Sequence, residues 1–378
     1  MSRYSTAVLA LALLAATGAL RAEPVNTFGD ARFAFYASER EARDGTITND
    51  EGLRLRLRIG AEKKLSDEWL LRGRLAGRFT TDQDRFRFWL KAWAPTRTGL
   101  EDGDSTLDEL FLHYAPDGGD WSLRIGRFQS KFELMGVAAK SLDRNDSPNV
   151  DITWTDGLHW QYALTPKWRS HVVLQSNASN GTGQTARVPL SFDDDASTVT
   201  TFAALEASKP LGPLKQRVFA VTWMPSALAT DGIDAARRED YITLTAKLFA
   251  EWPIGDSGMR GGLGGEAGYA PNTPRESVVG AGTGSSADGW ARTFSMNLLD
   301  FMPNHHIAFI FGRAGAGWLI SPDFRNNDRL LEIRYQWHLS KTLSMEARLR
   351  RREEIDLPPG VDDPRIDDDF YLRFSAKF

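Results

Sequence analysis

The chain has 378 residues, enough for two soluble domains or one large barrel, and no cysteine, which excludes disulfides and a lipid-modified N-terminal cysteine. A net charge of −4 gives no electrostatic footprint for a nucleic-acid partner. Twelve Trp, 21 Phe and 33 Gly beside an apolar fraction of 42% fit strands that are polar on one face, with aromatics gathered at two interfaces.

Residues 1–22 read as an export signal. Arg3 gives a short positive region, and residues 7–16 form an apolar run too short to cross a bilayer as a helix. Cleavage after Ala22, or alternatively after Ala19, leaves a mature chain of which residues 23–378 form one unit. No later run reaches the length of about twenty apolar residues that a transmembrane helix needs.

From residue 27 onward the pattern is strand after strand, beginning with 28–38. Residues 52–79 are the clearest case. Leu53, Leu55, Leu57 and Ile59 alternate with Arg54, Arg56 and Arg58. After a polar break, Trp69, Leu71, Leu75 and Phe79 share one face and Arg72, Arg74 and Arg78 the other. Period two makes this an antiparallel hairpin with an apolar and an arginine-rich face. Taken alone, it is most simply a soluble sheet with its arginines in water. In a membrane barrel the apolar face meets lipid and the arginines line a wet lumen.

The rest of the chain favours the barrel. Residues 80–106 form a long insertion with a strand-like piece at 85–93, which as an extra hairpin would raise the strand count to eighteen. Further strands are predicted at 107–114, 121–128, 152–164, 168–177, 198–207, 215–224, 241–252, 259–269, 290–299, 307–319, 330–339, 343–352 and 370–378. The total of sixteen is even. Long connections follow odd strands and short turns follow even ones, a parity that a soluble sandwich has no reason to keep.

In the last strand Phe370, Leu372, Phe374, Ala376 and Phe378 share a face. A terminal strand ending in Phe, after a signal peptide, is similar to the assembly signal of Gram-negative outer-membrane barrels. The chain resembles sixteen-stranded porins of the general type. Its arginine-rich strands, and the Leu123-Arg-Ile-Gly-Arg-Phe128 stretch before a long loop, are similar to the phosphate-selective porin group. The resemblance implies an all-β fold: a closed transmembrane antiparallel up-and-down β-barrel of about sixteen strands in the outer membrane. It also implies a homotrimer, delivery by the barrel-assembly machinery, and contact with outer-membrane lipid and lipopolysaccharide. By its place in the count, the 133–150 loop corresponds to the one that folds into the lumen as a constriction. Leu134, Met135 and Val137 are expected to pack on the wall, with Lys140, Asp143, Arg144 and Asp146 projecting into water.

Closure brings the last three strands beside the first three. It places Arg334, Arg348, Arg350, Arg373 and Lys377 on one wall with Arg32, Arg54, Arg56, Arg58, Arg72, Arg74 and Arg78. Glu332, Glu346 and Glu62 interrupt the run. These bases either attract small phosphate- or carboxylate-like anions or pair with acids and stiffen the wall.

No catalytic, cofactor or metal site is expected. Gly262-Leu-Gly264-Gly-Glu-Ala267 opens no helix and therefore fails as a dinucleotide fingerprint. His305 and His306 sit beside a predicted turn; adjacent residues on a strand point to opposite faces, so they make a poor metal pair and a turn role is expected. His171 and Ser176 have opposite parity, which disqualifies a relay through His159 and His171. Acid clusters at 101–102, 193–195, 362–363 and 367–369 lie in or beside predicted outer loops and read as solvated surface, or as cation bridges to lipid phosphate. The expected function is a passive channel for small hydrophilic solutes, with a preference for anions. The alternatives are an exporter or binding protein for an anionic polysaccharide and, from another class, an outer-membrane lipid hydrolase.

Overall fold

The computed structural model describes residues 24–80, 87–89, 106–146, 154–177, 188–192, 197–232 and 238–378. The signal segment, most of the 80–106 insertion and the acid clusters at 101–102 and 193–195 lie outside these residues.

Seventeen strands are described in one sheet. They are β1 (Asn26–Glu41), β2 (Ile47–Lys64), β3 (Trp69–Thr80), β4 (Arg87–Trp89), β5 (Thr106–Tyr114), β6 (Trp121–Phe128), β7 (Thr155–Thr165), β8 (Trp168–Ser176) and β9 (Val199–Ala207). After them come β10 (Leu214–Leu228), β11 (Glu239–Pro253), β12 (Arg260–Tyr269), β13 (Trp290–Met302), β14 (His305–Ala314), β15 (Asp328–His338), β16 (Leu343–Glu354) and β17 (Ile366–Lys377). Every pairing is antiparallel, and β17 returns to β1. The short β4 pairs only with the end of β3, whose remaining length pairs with β5. Sixteen strands therefore close the barrel. Its only described helix is one turn, α1 (Glu276–Val279).

Alternation decides which face each side chain takes. In β2, Arg56 is 0% exposed and Ile59 is 62% exposed, three residues apart on opposite faces. Leu75, Ile125, Phe219, Leu248, Phe309 and Leu349 continue the outward apolar band. A soluble monomer does not present such a belt; a barrel in lipid requires it. Aromatic side chains gather at the short-turn end, where the Trp69, Tyr114 and Trp121 rings lie tilted against one another with centroids 4.7 and 5.2 Å apart. Both features fit a transmembrane barrel with an interfacial girdle.

The expected boundaries hold to within a few residues in most strands. The connection between β1 and β2 is shorter than expected, because both strands extend to Glu41 and Ile47. The largest difference is the 307–319 strand. It ends at Ala314, and residues 315–327 turn into the barrel instead. Apolar residues usually buried between secondary elements here fill the lumen: Trp318, Leu319, Ile320 and Phe324 pack with Val137, Leu142, Met224 and Tyr241. Gly268 on β12 leaves the space for this. A Cβ there would lie 2.5 Å from the Trp318 ring.

Candidate functional site

Two inward segments and one basic wall define the lumen. The first segment, residues 129–146, crosses from β6 to the far side and is anchored mainly by its backbone. Gln216 of β10 accepts from the Met135 N–H at 2.8 Å, and Asn297 of β13 accepts from the Val137 N–H at 2.9 Å. Glu266 of β12 accepts from the Leu142 N–H at 3.0 Å. Arg334 and Gln336 of β15 donate to the carbonyls of Ala138 and Val137, each at 3.0 Å. The loop thus satisfies its own polar backbone with side chains of β10 to β15. The second segment locks onto it: the Trp318 indole donates to the Leu142 carbonyl at 3.0 Å, and the Ser321 hydroxyl to that of Ser141 at 3.0 Å.

The loop's charges do not project into water. Lys140, Asp143, Arg144 and Asp146 are all buried. Lys140 lies 3.0 Å from Glu332, and Asp143 lies 2.7 Å from Lys247, which also reaches Glu266 at 2.7 Å. The Arg144 guanidinium donates to Thr155 and Gln175, both at 3.0 Å. Asp146 accepts from the Thr155 hydroxyl at 2.7 Å and from the Ser130 N–H at 2.8 Å. Burial lowers the Lys140 ammonium to about 8, against the pull of Glu332. It pushes the Asp146 carboxyl up to about 6, against the pull of Arg144. Burial also pushes Asp143 up, but the Lys247 ammonium with the Ser141 and Thr245 hydroxyls holds it below its ordinary value. A charge that must leave water needs a partner: Lys140 and Asp143 found theirs across the barrel, Arg144 and Asp146 on β7, β8 and the loop itself. Local sequence carries no sign of such pairs.

The predicted bases all lie on the inward parity of β15, β16, β17, β1, β2 and β3. Eight of them pair with acids of the same wall. Arg56 and Arg58 hold Asp30 at 3.0 and 2.7 Å. Arg74 grips Asp108 with two nitrogens, and Arg72 bridges Glu62 and Glu109 at 3.0 and 2.8 Å. Arg334 meets Glu332 at 2.7 Å, Arg373 meets Glu346 at 3.0 Å, and Arg348 and Arg350 share Asp369 at 2.8 and 2.6 Å. Arg54 lies over the Tyr36 ring at 3.8 Å. Arg32 and Arg56, and Arg56 and Arg78, are direct cross-strand partners. Lys377 is exposed and makes no ion pair among the described residues.

Two cavities lie along this wall. Toward the long loops, about 380 Å³ is bordered by Arg54, Arg348, Arg350 and Arg352, with Asp50, Asp367 and Asp369. Toward the short turns, about 420 Å³ is lined by five bases, Arg32, Arg58, Arg72, Arg74 and Lys377, against two acids, Asp30 and Glu62. Lys131 of the inward loop stands between the walls, with 40% of its side-chain surface open to the lumen and Glu133 at 3.8 Å. Burial inside the barrel lowers its ammonium below the ordinary value. Glu133 opposes this, and the positive field of Arg32, Arg58 and Arg56 adds to it.

No protein-family model and no curated protein sequence matches the chain. Solved structures do. OprB of Pseudomonas putida, determined at high pH, superposes with a TM-score of 0.62 at 12% identity over 94% of each chain. The outer membrane channel DcaP of Acinetobacter baumannii gives 0.54 at 14% identity, over 94% of this chain and 97% of that one. An anion-selective porin from Comamonas acidovorans gives 0.51 at 11% identity, over 94% and 99%. The fold is that of the outer-membrane porins.

Within this porin fold the other sequence candidates find their places. His159 and His171 meet inside at 3.2 Å, and His171 reaches Glu206 at 3.0 Å. Ser176 is exposed on the opposite face, so the relay fails on geometry. His305 and His306 have separate partners, Tyr335 and the Asp300 N–H. Among the described residues no group of His, Cys, Asp and Glu suits a metal ion. The 367–369 acids are not in an outer loop. β17 begins at Ile366, which puts Asp367 and Asp369 inside the barrel and Asp368 outside. Asp362 and Asp363 are exposed in the last long loop.

Sequence reasoning missed Lys131, which precedes the expected loop, and the wall acids Asp30, Asp108 and Glu109. Asp30 was within reach, because it shares the parity of Arg32. A register shift between Arg74 and Leu75 brings both Asp108 and Glu109 inward, and no periodicity announces it.

Proposed function

We propose that the protein is a passive outer-membrane channel of a Gram-negative bacterium that admits small hydrophilic solutes and prefers anions. The observation that carries this reading is the short-turn cavity, where five bases face two acids on a continuous wall. A low-dielectric wall focuses such charge into the lumen. Arginine stays ionised, and its fork fits phosphate or carboxylate oxygens. The bases that line this cavity, Arg32, Arg58, Arg72, Arg74 and Lys377, offer an anion neighbouring weak sites, as conduction requires. The pairing with wall acids tempers each site and prevents a deep trap.

In this reading residues 129–146 and 315–327 narrow the pore, and Lys131 is the base that the inward loop adds to it. Inward segments on the β10 to β15 side favour small solutes over a polysaccharide chain. The long loops face outward and the short turns face the periplasm. Export uses the 1–22 signal, Phe378 with Phe370, Leu372 and Phe374 directs assembly, and the mature barrel forms a homotrimer in lipopolysaccharide-containing membrane. Single-channel conductance tests the class. Large, steady steps support a porin. An exporter gives rare gated events, and a hydrolase gives almost none.

A further inference from the structure

Outside the basic wall, a third lumen cavity of about 360 Å³ lies between the start of the inward loop and the neighbouring strands. Arg124 of β6, His159 and Gln161 of β7, His171 of β8 and Glu206 of β9 line it. Several of its charges answer one another. Lys131 lies 3.8 Å from Glu133, and His171 lies 3.0 Å from Glu206, whose cross-strand partner is Arg169. Arg124, Gln161 and His159 are not so answered. Arg124 lies 5.7 Å from the Phe111 ring centroid and makes no hydrogen bond or ion pair among the described residues. The Gln161 side chain makes no hydrogen bond among them either. His159 is only 5% exposed, and its Nδ1 has no partner.

The hydrogen-bond chain decides what His159 can offer. An ionised Glu206 can only accept, so His171 donates from Nε2 at 3.0 Å. With both rings neutral, the His171 Nδ1 is then an acceptor and takes the proton of His159 Nε2 at 3.2 Å. The His159 Nδ1 is left as a bare acceptor. The two nitrogens of an imidazole point nearly opposite ways, so this one is turned back from β8 toward β6. There Arg124 is the direct cross-strand partner of His159, at a spacing of about 5 Å.

A guanidinium without a carboxylate calls for an oxyanion. A bare Nδ1 beside it calls for a hydrogen-bond donor. A simple carboxylate answers only the first, and a neutral polyol only the second. An oxyanion with a neighbouring hydroxyl answers both, as hydrogen phosphate and 2-hydroxycarboxylates do. The cavity volume and Gln161, the next inward residue of β7, favour a carbon chain with further hydroxyls over a compact phosphate.

We propose that this cavity is a binding site for polyhydroxylated carboxylates, separate from the basic wall. Arg124 takes the carboxylate through charge-assisted hydrogen bonds. The 2-hydroxyl donates to the His159 Nδ1, and Gln161 meets a further hydroxyl. Arg124 has no partner to hold it and can move aside as the hydroxyl reaches the ring. The site rests on the channel reading, because only an open lumen brings the solute to it.

The test is the block of chloride current through the reconstituted barrel by glycerate, and by propionate, which lacks its hydroxyls. Half-block by glycerate is expected at about one tenth of the propionate concentration, the effect of one added hydrogen bond. Arg124→Gln should raise both concentrations. His159→Phe should erase the difference between the two solutes. Nitrogen NMR spectra of the wild type should show the His159 Nδ1 resonance moving with glycerate and not with propionate, a readout that does not depend on the variant folding. Gln161→Leu should weaken block by glycerate and leave that by inorganic phosphate as it was. Equal block by glycerate and propionate, an unchanged Arg124→Gln variant, or a His159 resonance that ignores glycerate overturns the site. Stronger block by inorganic phosphate than by glycerate overturns its assignment to a carboxylate. Conductance in salt alone separates the two readings. Failure of the glycerate preference in a conducting barrel overturns the site alone, whereas a barrel that does not conduct overturns both.

Discussion

Asp143 of the inward loop and Lys247 of β11 lie 2.7 Å apart, both fully enclosed, with Glu266 2.7 Å from the same ammonium. One cation thus holds two carboxylates in the middle of the barrel, one from the loop and one from the wall. Breaking such a cluster from one side leaves uncompensated buried charge and costs about 3–5 kcal/mol. Lys247→Met should therefore loosen the loop. The expected readout is a noisier and larger single-channel current, with a barrel that still resists unfolding in unheated detergent electrophoresis. Unchanged conductance in a folded variant would show that the loop does not narrow the pore.

The loop should also respond to pH. The Asp146 carboxyl is raised to about 6 by burial, so the docked loop binds its proton more tightly than the undocked loop does. Its contribution to docking is complete below the ordinary value of 3.8 and is lost as pH rises through about 6. A shift of this size corresponds to about 3 kcal/mol. Glu133 is raised by burial and acts in the same direction. Asp143 is held low, so its contribution persists above 3.8 and disappears only in stronger acid. Current noise should thus fall from about pH 7.5 to about pH 5, either side of the Asp146 value of about 6. Asp146→Asn should flatten that dependence. An equal slope in the variant would assign the effect to other groups.

Barrel closure has its own signature. Gly29 and Phe378 exchange backbone hydrogen bonds of 2.8 and 3.1 Å, and the Phe378 ring covers Gly29 so closely that a Cβ would lie 2.4 Å from it. Gly29→Val must displace that ring or the strand. The variant should lose the fast mobility of the unheated barrel at a lower temperature than the wild type. Gly73, where a Cβ has no neighbour nearer than 3.7 Å, is the control and should tolerate Ala. Matching melting of the two variants would remove Phe378 from closure.

The strands were legible because lipid on one face and water on the other impose period two on the sequence. Arg54, Arg56 and Arg58 against Leu55, Leu57 and Ile59 show both environments within six residues. The inward segments were not legible in this way. Residues 315–320 are apolar without alternation, since protein surrounds them on all sides, and so they read as a continuation of β14. The loop charges read as solvated because their partners are distant in sequence: Lys247 lies 104 residues beyond Asp143. The basic wall followed from parity plus closure. Its degree of neutralisation depended on a register shift and on where β17 begins, which strand patterns alone do not specify.

Anion preference is read directly from the reversal potential of the reconstituted channel in a salt gradient. Net charge is −4, so a whole-chain argument predicts cation preference. Loop acids are screened over about 8–10 Å at physiological salt, whereas bases on the wall act within the lumen. The wild type is expected to show an anion-selective sign that weakens as salt rises. Lys131→Glu should reduce or invert it, because that ammonium faces the field of Arg32, Arg56 and Arg58 at the inward loop. A cation-selective wild type at low salt would rule out anion preference and leave the wall arginines as partners of Asp30, Asp108 and Asp369 alone.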